Sequence, residues 1–179
     1  MTREAQTSAS FDLTAAFRAE AAGLLGFFIR RDVPIEDAAD LVSETFLAAW
    51  KTSGRRTVEP HMLRAWLYGI ARNILSQHRR GGVRRSALAK RLRSTLDGGH
   101  SHAAIQADST NESLAEHVRE LIAQLPEIDR EIVRLVYWEE FTQEEVASIL
   151  KKPATTIRTR LSRARGVLRA QLQDGDDLH

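Results

Sequence analysis

FTQEEVASILKKPATTIRTRLSRARGVLRAQL (141–172) is the stretch that decides the fold. Thr142 followed three residues later by Glu145 reads as a capping box opening a short helix to Leu150. Val146, Ala147 and Leu150 supply that helix with one apolar face, and KKPAT makes a tight break. Beyond the break Ile157, Leu161, Ala164, Leu168 and Leu172 recur at i, i+4, i+7, i+11 and i+15, which is one stripe of a longer helix. Two helices joined this way form a helix-turn-helix. Residues 151–169 carry seven basic side chains and no acidic one, whereas a merely solvated face mixes signs. The leading residues of a recognition helix reach base edges in the major groove. Thr155, Thr156, Arg158, Thr159, Arg160, Ser162 and Arg163 are therefore the candidate duplex-reading set, with arginine suited to guanine. Arg165 and Arg169, further along, suit phosphates.

Moving towards the N-terminus, ESLAEHVRELIAQL (112–125) and EIDREIVRLVYWEE (127–140) read as two further helices split by Pro126. STLDGGHSHAAIQADSTNES (94–113) is small, polar and aperiodic, so it reads as linker. Before it, Pro60 opens HMLRAWLYGIARNILSQHRR, a helix expected to bury Leu63, Trp66, Leu67, Ile70, Ile74 and Leu75 and to be broken or ended at Gly81-Gly82, with room for partial helix over 83–93. Asn73, Gln77 and Arg80 fall on one line of that helix, continuing the line of Trp66, with Arg72, His78 and Arg79 beside them. Amides and arginines next to aromatics suit single-stranded DNA, whose unstacked bases offer both edges and faces.

TSGRRTVEP (52–60) is a loop, and the helix before it, IEDAADLVSETFLAAWK (35–51), has the apolar stripe Ala38, Leu41, Val42, Thr45, Phe46 and Ala49. Its Glu36, Asp40 and Glu44 make an acidic line with Asp37 alongside and Leu41, Phe46 and Trp50 nearby. Such a surface is unsuited to DNA and suited to a basic protein partner, and taken alone it also fits an ordinary surface helix. A first helix runs from about Asp12 to Arg31 with Leu13, Phe17, Leu24, Leu25 and Phe28 on one side. No segment alternates with strand period. The expected fold is all-α: an N-terminal helical bundle (11–82), a flexible linker (83–113) and a C-terminal helix-turn-helix domain (114–172).

Charge supports that division. The chain of 179 residues has a formal charge of only +2. The segments 1–53, 54–93, 94–145 and 146–179 carry net −3, +10, −9 and +4, so two basic blocks fall on the two candidate DNA-facing helices. No apolar run approaches the ~20 residues a membrane helix needs, there is no secretory leader pattern, and cysteine is absent. The expected setting is the cytoplasm, with no membrane contact by this chain. Asp97, His100, His102 and Asp108 lack cysteine partners and a helix to fix them, so no metal site or cofactor is expected. No phosphate-binding loop or nucleophile–base signature marks an enzyme.

Three segments together resemble the extracytoplasmic-function sigma factors of the sigma-70 family. DAADLVSETFLAAWK (37–51) is similar to that family's polymerase-binding helix, LRAWLYGIARNILSQHRR (63–80) to its −10 segment, and residues 125–172 to its −35 domain. The resemblance implies a subunit that binds core RNA polymerase and directs it to promoter DNA. Asp37, Asp40, Leu41, Glu44, Phe46 and Leu47 would grip the clamp coiled coil of the β′ subunit, with a further contact to the β subunit. Arg72, Asn73, Gln77, His78, Arg79 and Arg80 would hold the −10 strand, and Thr155 to Arg163 would read the −35 duplex. An anti-sigma factor is the implied inhibitory partner. Ser43, Gln77, Lys151 and Thr155 depart from the usual Gln, Asp, Gly and Gly, and a somewhat different helix-turn-helix turn is expected at Lys151. The alternative reading is a stand-alone helix-turn-helix regulator, which leaves the second basic helix and the acidic helix unexplained.

Overall fold

The computed structural model describes residues 13–53, 58–93 and 111–176. Among these every regular element is helical: α1 (Leu13–Ile29), α2 (Ile35–Ser53), α3 (Leu63–Arg93), α4 (Asn111–Gln124), α5 (Glu127–Tyr137), α6 (Gln143–Leu150) and α7 (Ala154–Asp176), with a 3₁₀ turn Pro60–Met62 leading into α3. The chain divides into two compact units, one holding α1, α2 and most of α3, the other α4, α5, the first part of α6 and α7.

The N-terminal unit is built on an aromatic core. The α1 residues Leu24, Phe27 and Phe28 are wholly buried, as is Tyr68 of α3. Phe27 meets Phe28 and Tyr68 edge-on, at centroid separations of 5.2 and 5.4 Å, the arrangement that ring quadrupoles favour. Gly23 makes room for this: a Cβ there would sit 2.5 Å from the Tyr68 hydroxyl oxygen. On α2 the stripe Ala38, Leu41, Val42, Thr45, Phe46 and Ala49 is buried as expected, and the one polar member is satisfied, Thr45 Oγ1 donating to the Leu41 carbonyl at 2.7 Å. Pro34 accepts the first backbone bond of α2 from Ala38, while Glu36 and Asp37 in the first turn oppose the helix dipole.

Several expectations shift here. Phe27, absent from the expected α1 stripe, is core, whereas Phe17 is 48% exposed and packs its ring at 4.9 Å on Phe46. Trp66 is only half-buried, as are Leu63 and Ile70; the core aromatic of α3 is Tyr68. Gly81-Gly82 does not end α3, which continues to Arg93. Each glycine costs about 1 kcal/mol against alanine in a helix, and the Arg-, Ala-, Lys- and Leu-rich run that follows is a strong enough helix former to carry the chain through. The backbone is helical over 83–93, within the span expected to join the two domains, and α4 begins at Asn111. The side chains of Leu13, Arg84 and Arg85, and the whole of Asp97, His100, His102 and Asp108, lie outside the described residues.

The C-terminal unit has a mainly aliphatic core. Leu121, Ile122 and Leu125, then Ile132, Val133 and Leu135, then Val146, and finally Ile157, Leu161 and Ala164 are buried, joined by Phe141. The stripe of α7 weakens towards its end: Leu168 is half-buried and Leu172 is exposed. The capping box forms, the Thr142 N–H donating to Glu145 Oε2 at 2.8 Å and the Glu145 N–H to Thr142 Oγ1 at 3.3 Å.

The turn between α6 and α7 corrects the expectation for Lys151. Its φ is +51°, the left-handed region in which a side chain costs roughly 1–2 kcal/mol. The Lys152 N–H bonds the Ala147 carbonyl at 3.0 Å and the Lys151 N–H that of Ser148 at 3.3 Å. This is the paired 6→1 and 5→2 bonding of a Schellman cap. Lysine adopts the geometry that glycine favours, so the turn itself keeps its usual form.

Candidate nucleic-acid and polymerase interfaces

Burial sorts the candidate polymerase-binding residues of α2 into two sets. Asp37, Asp40 and Glu44 are exposed, and Leu47 is 49% exposed. Leu41 and Phe46 are each 4% exposed, so neither is available to a partner while the unit is folded; both belong to the core stripe one helical face away. In their place stands Trp50, 58% exposed. With Asp40, Ser43, Glu44 and Leu47 it lies on a single face at spacings of three and four. Trp50, expected from the sequence to stand near the acidic line, falls one residue beyond Ala49 and therefore off the core stripe. An acidic face carrying two large apolar groups is the composition of a protein contact with buried anchors and a charged rim.

On α3, Asn73, Gln77, Arg79 and Arg80 are exposed, and Arg72 and His78 half-buried. Trp66, Ile70, Asn73, Gln77 and Arg80 follow one another at i, i+4, i+7, i+11 and i+14 along one side of the helix. This strip has a half-buried aromatic at one end and a cation at the other. Arg80 Nη1 donates to Ser76 Oγ at 2.9 Å, which steadies it.

Two of the candidate DNA contacts on α3 also have partners within their own unit. Arg79 Nη2 donates to the Arg31 carbonyl at 2.9 Å, satisfying an acceptor at the C-terminal end of α1 that the helix itself leaves open. Arg31 is itself buried: its guanidinium donates to the Phe27 carbonyl at 2.9 Å and lies 3.7 Å from the Phe27 ring centroid. His78 Nε2 lies 3.7 Å from Asp37 Oδ2, so a candidate −10 residue and a candidate polymerase residue face each other across α2 and α3. Arg64 Nε bonds Glu20 Oε2 at 3.1 Å, joining α3 to α1.

On α7, Thr155, Arg158, Thr159, Ser162 and Arg163 are exposed and form a continuous outward strip; Thr156 and Arg160 are half-buried at its margin. The strip begins in the first turn of a helix that follows a short capped helix and a tight turn, the arrangement that enters a major groove. Arg160 does not point freely outward. Its Nη1 bonds Asp129 Oδ1 of α5 at 2.9 Å.

Two family descriptions match separate parts of the chain: "Sigma-70 region 2" over residues 17–85 and "Sigma-70, region 4" over residues 115–168. The extracytoplasmic-function RNA polymerase sigma factor EcfG of Rhodopseudomonas palustris is 33% identical over 153 residues, spanning 83% of this chain and 78% of that one. The chain belongs to the extracytoplasmic-function sigma factors. A "probable RNA polymerase sigma factor RfaY" of Xanthomonas campestris is 32% identical over 150 residues, covering 80% of this chain and 36% of that longer relative. The fold is shared with the sigma factor RpoE of Bartonella quintana, solved in complex with the anti-sigma factor NepR, at a TM-score of 0.62 and 24% identity over 90% of this chain and 97% of that one. The function is that of its family: an alternative sigma factor directing transcription initiation, a regulatory DNA-binding role. Among the described residues no helix is long and apolar enough to cross a membrane.

Proposed function

We propose that this sigma factor binds core RNA polymerase through the outward face of α2 and reads two promoter elements, −10 with α3 and −35 with α7. Residues 11–82 then act as the polymerase-binding and melting domain and residues 114–172 as the −35 domain. The observation that carries the reading is the acidic, apolar-anchored face of Asp40, Glu44, Leu47 and Trp50. Among the described residues no hydrogen bond or ion pair engages these side chains, and a free-standing DNA-binding regulator has no need of them. The clamp coiled coil of the β′ subunit is the partner proposed for that face, with a second contact to the β subunit.

On α3 the reading set is Asn73, Gln77 and Arg80, with Arg72 beside them. Single-stranded bases can stack near Trp66 and meet the amides on their edges. Arg79 and His78 act mainly within the unit, where their partners hold α3 against α1 and α2. On α7 the strip of Thr155, Arg158, Thr159, Ser162 and Arg163 reads the duplex, with Thr156 at its edge. The protein works in the cytoplasm, needs no cofactor and performs no covalent chemistry. An anti-sigma factor that covers these faces is the proposed inhibitory partner, supported by the complex in which the Bartonella relative was solved.

Run-off transcription tests this. Core polymerase with the wild-type chain should initiate at promoters recovered by selection from a randomised DNA pool. Asn73→Ala/Gln77→Ala should abolish open-complex formation while leaving −35 protection intact. Arg158→Ala/Arg163→Ala should lose −35 protection. Specific binding of the free chain to a duplex, without any response to polymerase, would instead establish the free-standing regulator.

A further inference from the structure

Arg160 and Arg165 flank the outward strip of α7 on opposite sides. At 100° per residue Arg165 lies roughly a quarter-turn from the Thr155–Thr159–Ser162 line, and Arg160 roughly a third of a turn the other way. Each is met by a side chain of α5. Arg160 pairs with the Asp129 carboxylate, whose side chain is 16% exposed. Arg165 donates from Nε to the Tyr137 hydroxyl oxygen at 2.6 Å, and its guanidinium carbon lies 5.5 Å from the Tyr137 ring centroid.

The two partners differ in charge, and that difference separates two roles. The carboxylate neutralises Arg160 and turns it into a brace between α5 and α7. The phenol is neutral, so Arg165 keeps its full charge. Only its Nε is engaged by the hydroxyl, and the paired terminal nitrogens, the end of the fork that fits a phosphate, remain on offer. Tyr137 itself stands 52% exposed, and as a rigid side chain on the adjacent helix it restricts a long flexible one.

We infer that Tyr137 is a positioning residue that holds Arg165 against a backbone phosphate at the edge of the duplex site. This rests on the proposed reading of α7 as the −35 element. A phosphate rather than a base is the match, because Arg165 opens the fourth turn of α7 and lies off the outward line, whereas base edges are met by the first turns. Phosphate contacts fix register without reading sequence, and a side chain already held in place loses less freedom on binding.

The test is a thermodynamic cycle on the full chain assembled with core polymerase. Tyr137→Phe, Arg165→Ala, their double variant and Arg158→Ala are compared by fluorescence anisotropy across a salt series. The probe is a promoter duplex selected with the wild-type holoenzyme. Arg165→Ala should weaken binding about tenfold and lower the salt slope by about one phosphate's worth. Tyr137→Phe should weaken binding about threefold, at unchanged melting temperature, and have no further effect when Arg165 is already alanine. No loss with Tyr137→Phe, or an equal loss in both backgrounds, would overturn the positioning role while Arg158→Ala still weakens binding. If Arg158→Ala has no effect either, the −35 reading of α7 fails, and the inference fails with it.

Discussion

The two basic helices, α3 and α7, carry similar charge and hold it in different ways. Much of the polar surface of α3 is knitted into its own unit: Arg64 to Glu20, His78 to Asp37, Arg79 to the Arg31 carbonyl. What remains for a ligand is a narrow line of Asn73, Gln77 and Arg80. On α7 the described bonds to other helices sit at the flanks, at Arg160 and Arg165, and the outward strip bonds along its own helix, Thr159 Oγ1 donating to the Thr155 carbonyl at 3.0 Å. Basic charge along a helix therefore does not mark nucleic-acid contacts residue by residue. It marks the helix, and burial and bonding then decide which cations face outward.

The comparison is sharpest where a residue was assigned to a partner and turns out to be core. Phe46→Ala should destabilise the N-terminal unit by about 3–5 kcal/mol, the usual cost of emptying an aromatic core site, whereas Leu47→Ala should leave the melting temperature within a degree or two. Urea unfolding of the two variants separates them. Equal stabilities would mean that Phe46 is not part of the core.

Next in size is the contrast between neighbouring arginines. Arg79→Ala should cost about 1–2 kcal/mol by leaving the Arg31 carbonyl unpaired. Arg80→Ala should be nearly neutral for folding and weaken promoter opening. If Arg80→Ala proves the more destabilising of the two, the assignment of strut and reader is reversed. Removing the cap by Thr142→Ala should cost the C-terminal unit about 1 kcal/mol, seen as a lower midpoint in thermal melts. The smallest effect is a gain: Lys151→Gly should raise stability by about 0.5–1 kcal/mol, since glycine takes the left-handed turn at no steric cost. A loss instead would show that the lysine side chain supports the turn.

Much of this was legible in the sequence because it depends on period alone. The α2 stripe, the α7 stripe and the Thr142–Glu145 cap follow from spacing within one helix; the first and last form, and the α7 stripe is buried as far as Ala164. What depends on contacts between helices was not legible. Nothing in the period of α3 tells that Tyr68 rather than Trp66 is fully buried; that choice is made by Gly23, forty-five residues earlier, which opens space for the phenol. The same holds for Asp129 and Tyr137, whose partners are 31 and 28 residues away. Leu41 and Phe46 belong to a motif that resembles a binding helix, and a motif does not separate the residues that hold a helix in place from those that face a partner. The passage of α3 through Gly81-Gly82 depends on the balance between two glycines and the helix-forming run that follows, and neither stretch decides it alone.

The central claim is that the outward face of α2 holds the polymerase. Its most direct test is a titration of fluorescently labelled chain with core RNA polymerase, wild type beside Asp40→Ala/Leu47→Ala and Trp50→Ala, each checked for an unchanged melting temperature. The expected result is tight wild-type binding, weakened about tenfold or more by each variant, as befits anchors at an interface centre. Undiminished binding by both folded variants would contradict the assignment and move the polymerase contact to another face of the molecule.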